Sequence, residues 1–261
     1  MGAWLALTKK EFRLGFPVFI TALILYAGMM VGAYFLGKQI DHEEALILMA
    51  FMFVMGVHIL FLVFYLHYTL SSERKRLHLW LHTPMSIAGL LLSKLFTGIV
   101  FMAVTFVVTL SASSLFFNQN IDFFNEQTIY NIMGLSTAVV FNGAIWLAVT
   151  FIFFWSIFLT FSQQMNDFLS FILTFMLFLI TGWVYGLITS MGFVETITTW
   201  GPIRVDDIIV GFEFGYMDNA FEANTLSEAS IFYIGHFIRD LIVSIIMFFA
   251  ACWMIDRKVE V

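Results

Sequence analysis

Six runs of apolar residues dominate this sequence: 16–36, 45–70, 95–117, 134–161, 168–191 and 231–254. A hydrocarbon core of ~30 Å takes about 20 apolar residues to cross as a helix, and each run is at least that long. Lipid offers no hydrogen bonds, so each run must satisfy its own backbone, which a helix does within one segment. Residue usage agrees: 61% of the chain is hydrophobic and 11% charged, whereas a soluble domain carries about a quarter charged residues. The predicted fold is therefore all-α and polytopic, a single transmembrane domain over 1–261 with six spans. No connecting segment is long enough to bury a soluble core of its own. The one cysteine, Cys252, rules out a disulfide framework within the chain. The first run lacks a small-residue cleavage site and is read as a retained span rather than a signal peptide.

Lysine and arginine placement orients the spans. With both termini cytoplasmic, Lys9, Lys10, Arg13, Arg74, Lys75, Arg76, Lys94, Arg257 and Lys258 fall inside, against Lys38 and Arg204 outside. Most acids then fall outside, the usual complement of that bias. Ahead of the first span, residues 1–15 intersperse Trp4, Leu5, Leu7 and Phe12 with Lys9, Lys10 and Arg13. This pattern fits an interfacial amphipathic helix, or equally an ordinary basic flank. The short polar turn before the fifth span offers Asn166 or Asp167 as its N-cap.

The segment 71–94 is the longest polar interruption in the first half of the chain. Arg74, Lys75 and Arg76 anchor the end of the second span at an anionic leaflet. Leu77, Leu79, Trp80 and Leu81, next in the chain, are too apolar for a solvated loop. The chain then breaks at Thr83-Pro84 and makes a new helical start from Met85. A short apolar-faced helix held at the membrane surface implies a docking partner. His78 and His82 stand one helical turn apart, but no third metal ligand accompanies them.

These features resemble the membrane subunit of type-2 ABC exporters. The similarity lies in six spans with both ends inside, and in the pattern Glu73, Leu81, Thr83, Pro84, Ser86, Leu91, Leu92 and Lys94 between the second and third spans. The resemblance implies that 71–94 forms a cytoplasmic coupling helix seated in a groove of a separate ATPase subunit. Glu73, Arg74, Leu81, Thr83, Pro84 and Met85 are the expected coupling residues. It further implies a surface helix before the first span, and an extracellular loop, 192–230, folded as two short helices that dip back toward the membrane. Two ATPase copies and a second permease, identical or related, are the implied partners, with surrounding lipid and no nucleic acid. ATP and Mg would be bound by the ATPase, and the chain itself would be a transporter subunit rather than an enzyme. Size and loop layout look like the small permeases of peptide-toxin exporters, such as phenol-soluble modulin exporters. The implied substrate is hydrophobic or amphipathic, most plausibly a peptide, crossing a bacterial plasma membrane.

Within the chain, Gly32 to Lys38 copies a phosphate-binding loop, but Gln39 stands where Ser or Thr is needed and no strand precedes it. Gly28 and Gly32, and Gly182 and Gly186, are spaced to let helix backbones approach in lipid. In the family resembled, the first and fifth spans form the dimer seam, and chance spacing is the competing explanation. The sixth run holds His236, Arg239 and Asp240, where charge is costly. They are expected to pair with other helices, either as a pathway or gate or as a structural network where the span begins later than 231. A stand-alone membrane channel or intramembrane enzyme built on this cluster is the alternative function. His58 and His67 lie on different faces of the second span and offer no facing pair for haem.

Overall fold

The computed structural model describes residues 2–39, 43–75, 85–120, 126–217 and 220–258. Six of its helices are long and apolar enough to cross a membrane: α1 (Gly2–Gln39), α2 (Glu43–Arg74), α3 (Ile87–Asn120), α4 (Glu126–Ser162), α5 (Asp167–Thr189) and α7 (Ile234–Lys258). Between the last two lie the short helix α6 (Gly192–Thr198) and the strands β1 (Pro202–Met217) and β2 (Ala220–Tyr233). The protein is a multi-pass, predominantly helical membrane protein.

The centre of the bundle is α2, packed against α1, α3 and α4, while α7 covers the far side of α4. The buried core runs through Leu62, Tyr65 and Leu66 of α2, Met102 and Phe106 of α3, and Ala148 and Ile152 of α4. Its closest approach is glycine-made. A Cβ on Gly15 of α1 would lie 2.3 Å from the Tyr65 ring, and one on Gly98 of α3 would lie 2.8 Å from the same ring. Tyr65 is thus clasped between two side-chain-free patches of backbone, and three helices close on one aromatic. By contrast, α5 is almost uncovered: of its residues only Ser170 and Thr174 are buried. Phe168, Phe171, Trp183 and their neighbours face outward, as lipid-facing apolar side chains do.

Two sequence expectations are corrected by the structure. Residues 2–15 do not form a helix separate from the first span. They belong to one helix that continues through Pro17 to Gln39. Thr8 and Glu11 are buried against the bundle, and Phe12 meets Phe101 edge-on at 5.2 Å. Around 71–94, α2 runs to Arg74 and α3 starts at Ile87, close to the helical start read at Met85. The Ser86 hydroxyl accepts the Gly89 N–H at 3.2 Å and starts α3, a local cap of the usual serine kind. The segment 192–230 forms one short helix followed by an antiparallel hairpin, rather than two dipping helices. Its strands, 16 and 14 residues long, extend roughly 50 Å at ~3.3 Å per residue. The sequence carries the signal for this: Phe212, Phe214 and Tyr216 alternate with Gly211, Glu213 and Gly215, the period-two pattern of a strand.

At the hairpin base the chain is tightly folded. Gly201 takes a positive φ of 64°, a conformation glycine adopts without steric cost. The Ile234 and Gly235 N–H groups donate back to the Gly201 and Trp200 carbonyls at 3.2 and 3.3 Å. A Cβ on Gly235 would sit 2.2 Å from the Thr198 carbonyl oxygen.

At the other end, the turn before α5 folds as expected. Asn166 is the N-cap, its Oδ1 accepting the Leu169 N–H at 2.8 Å. Asp167 in the first turn complements the positive end of the helix dipole.

Candidate functional site at the charged end of the bundle

Interhelical ion pairs gather the start of α1, the end of α2, the start of α3 and the start of α5 at one end of the bundle. Lys94 Nζ donates to Glu11 Oε2 at 2.7 Å, with both side chains fully buried, and lies 3.5 Å from Glu73 Oε1. Lys10, half-exposed, closes the chain with a 2.7 Å bond to the same Glu73 oxygen. Four charges on α1, α2 and α3 therefore alternate in sign across the helix junction. Beside them, Arg74 donates to Asp167 Oδ1 at 2.5 Å and lies over the Phe158 ring, 4.8 Å from its centroid. Arg74 thus ties the end of α2 to α4 and α5. Ser156 Oγ of α4 and Met254 Sδ of α7, 3.7 Å apart, bring the C-terminal part of α7 to this end too. The two chain ends share one side of the bundle.

The expected coupling residues divide accordingly. Glu73 is buried in the four-charge network and Arg74 is engaged by Asp167 and Phe158. Met85 is half-buried and packs on the core beside Gly89. Leu81, Thr83 and Pro84, like His78 and His82, lie outside the described residues. Glu11 is the member that sequence reasoning missed: an acid among Lys9, Lys10 and Arg13 reads as part of a solvated flank.

An elongated cavity of about 470 Å³ opens beside Arg74. Its floor is α4 and its walls are α2 and α5, bridged at one end where Arg74 reaches Asp167. On α2, His67, Ser71 and Arg74 form a polar stripe at i, i+4 and i+7. Elsewhere the lining is mostly aromatic: Phe154, Trp155 and Phe158 from α4, and Phe171, Phe175 and Phe178 from α5.

The expected seam glycines face open space among the described residues. A Cβ added to Gly28, Gly32, Gly182 or Gly186 would meet nothing within 4 Å. Their faces are open to lipid or to a second subunit.

The polar cluster of the last span is also rearranged. Because α7 begins at Ile234, His236, Arg239 and Asp240 occupy its first two turns. Arg239 and Asp240 pair with each other as well as with another helix: Arg239 Nε and a terminal guanidinium nitrogen both reach Asp240 Oδ1 at 2.9 Å. The Tyr185 hydroxyl of α5 donates to that same oxygen at 2.9 Å, and Trp146 of α4 packs on the Tyr185 ring at 5.3 Å. His236 meets Tyr233 edge-on at 5.4 Å. The cluster links α4, α5 and α7 near the hairpin, with each charge answered by its neighbour.

His58 is fully buried, its Nδ1 2.8 Å from the Val54 carbonyl oxygen and its ring 4.3 Å from that of Tyr26. Among the described residues, no three His, Cys, Asp or Glu side chains are grouped to hold a metal ion. Comparison with protein-family models, curated proteins and solved structures returns no match.

Proposed function

We propose that the chain is the transmembrane subunit of an ATP-driven exporter of the type-2 ABC class. In this reading two permease subunits, identical or related, form a pathway for a hydrophobic or amphipathic substrate, most plausibly a peptide. Each binds a separate ATPase through residues 75–86. The observation that carries the proposal is the convergence, at one end of a six-span bundle, of the start of α1, the end of α2, the start of α3 and the end of α7, with Lys10, Arg74 and Lys94 paired there. Anionic lipid on the cytoplasmic leaflet favours that end inside, which is where an ATPase would meet it. The open Gly182 and Gly186 face of the exposed helix α5 supports a second subunit along that side.

The ion pairs refine how coupling would work. Glu73 and Arg74 are fastened to α1, α3 and α5. They therefore transmit a movement of the 75–86 segment into the bundle, while the contact surface itself is the apolar stretch around Leu81. The test is affinity capture of the tagged full-length chain from its native membrane in mild detergent. A stoichiometric nucleotide-binding subunit, lost on Leu81→Asp substitution, is the expected result. A chain that purifies alone even after gentle crosslinking overturns the proposal.

A further inference from the structure

We infer that the cavity between α2, α4 and α5 is a phospholipid site, holding one acyl chain along its length and the headgroup phosphate at Arg74. The shape argues for a hydrocarbon chain. The lining of α2 runs from Leu60 to Arg74, a rise of roughly 21 Å at 1.5 Å per residue. Along that length the lining is almost wholly aromatic and aliphatic, with the polar side chains of α2 gathered toward Arg74. The cavity is thus long and apolar with one polar end, the shape and polarity of an acyl chain below its headgroup. It runs inward from the charged end, past the ~15 Å depth of one leaflet's hydrocarbon.

The chemistry argues for a phosphate at the mouth. Arg74 is the last residue of α2, one-third exposed, and Asp167 accepts from one of its terminal nitrogens. A guanidinium has five N–H donors and pairs well with phosphate oxygens. Ser71 and His67 continue the polar stripe one and two turns deeper, within reach of a glycerol ester. Asp167 beside Arg74 adds a site for the amine of a zwitterionic headgroup. A lipid in this leaflet enters sideways between α2 and α5 without reversing its orientation, because α5 packs on α4 and stands off α2. A bound chain then fills the gap beside the Arg74–Asp167 pair.

The experiment uses the purified full-length chain in vesicles of phosphatidylglycerol and phosphatidylethanolamine, without any ATPase, so its outcome is independent of the exporter reading. A trace phospholipid with a photoactivatable group near the end of one acyl chain is irradiated, and labelled peptides are mapped by mass spectrometry. Labelling is expected to concentrate at 154–158 and 171–178, and to saturate with unlabelled phospholipid. Thr174→Trp and Leu147→Trp, filling the cavity from the α5 wall and from the α4 floor, should each cut that labelling about tenfold and leave labelling at lipid-facing Trp253 unchanged. Arg74→Gln should raise the phospholipid concentration needed for saturation. Variants are compared only when they elute as the native species on size exclusion. Cavity labelling no greater than at Trp253, or unchanged in whichever filling variant folds, overturns the inference. So does displacement of the lipid label by an amphipathic helical peptide at stoichiometric ratio, which would make the cavity a peptide site.

Discussion

Lys94 and Glu11, 83 residues apart in sequence, meet at 2.7 Å with neither side chain exposed. This pair joins α1 to α3 at the charged end of the bundle, and Glu73 joins α2 to the same lysine. Removing one partner of a buried pair strands the other charge, which typically costs ~3–5 kcal/mol. Lys94→Met should therefore lower the thermal unfolding midpoint of the detergent-solubilised protein by more than any surface charge change. The double variant Glu11→Met/Lys94→Met should recover most of that loss. A double-mutant cycle on thermal unfolding measures both; additive losses would mean that the pair is not energetically linked.

Glycine positions divide into two kinds that substitution should separate. Gly15→Ala forces a Cβ to within 2.3 Å of the Tyr65 ring. Overpacking of that sort costs ~1–3 kcal/mol, read as earlier unfolding of the purified chain. Gly182→Leu and Gly186→Leu enter open space and should leave the unfolding midpoint nearly unchanged. If α5 carries the seam between subunits, those two substitutions should instead lower the dimer fraction seen by crosslinking in the native membrane.

The reason sequence pattern separated these two kinds poorly is physical. Spacing of small residues marks a face on which another helix can approach, and Gly28, Gly32, Gly182 and Gly186 share that spacing. Gly15 and Gly98 are isolated glycines, and only the arrival of Tyr65 between them gives them a role. The spans themselves were legible because apolar length is a one-dimensional property. The Asn166 cap was legible because its partner is three residues away. The buried charges were not, because Glu11 finds its partner on α3, and nothing local distinguishes it from a solvated acid. Residues 192–230 are read as two short helices only through a resemblance, and the strand alternation at 211–216 does not enter that reading.

At the opposite end, Gly235 fixes how α7 leaves the hairpin. Gly235→Ala would push a Cβ against the Thr198 carbonyl oxygen and the Trp200 indole nitrogen. The expected result is a loosened junction with the six spans intact. Limited proteolysis should then cut within 202–233 several-fold faster than in the parent, with the thermal midpoint of the bundle little changed. An unaltered cleavage rate would show that α6 shifts to accommodate the methyl group.

Asp240 accepts from both Arg239 and Tyr185, so its removal should cost more than loss of either donor alone. Tyr185→Phe removes one partly buried hydrogen bond, worth ~0.5–1.5 kcal/mol. Asp240→Asn removes the counter-charge of Arg239 inside a membrane-spanning helix, where an unanswered charge costs roughly 2.5–3.5 kcal/mol. Thermal unfolding should rank the two in that order. The reverse order would mean that Arg239 has another counter-charge and that the cluster is organised around Tyr185.

Arg74 and Glu73 are adjacent, yet only one of them is a clean probe of coupling. Glu73 sits in the buried network, so Glu73→Gln disturbs the packing of α1, α2 and α3 along with anything it does to a partner. Arg74 and Asp167 are both partly exposed, and such pairs contribute only ~0–1 kcal/mol. Arg74→Gln should therefore fold normally, whereas Arg74→Glu sets a carboxylate against Asp167 and confounds repulsion within the chain with loss of coupling. Asp167→Asn supplies the control. If Arg74 acts by holding α2 to α5, Arg74→Gln and Asp167→Asn should reduce ATP-dependent export equally, with ATP hydrolysis retained. If Arg74 instead touches the ATPase directly, only the arginine variant should lose export, and ATPase capture should weaken with it. Comparing the two variants in one reconstituted membrane assigns the role of Arg74 from the difference between them.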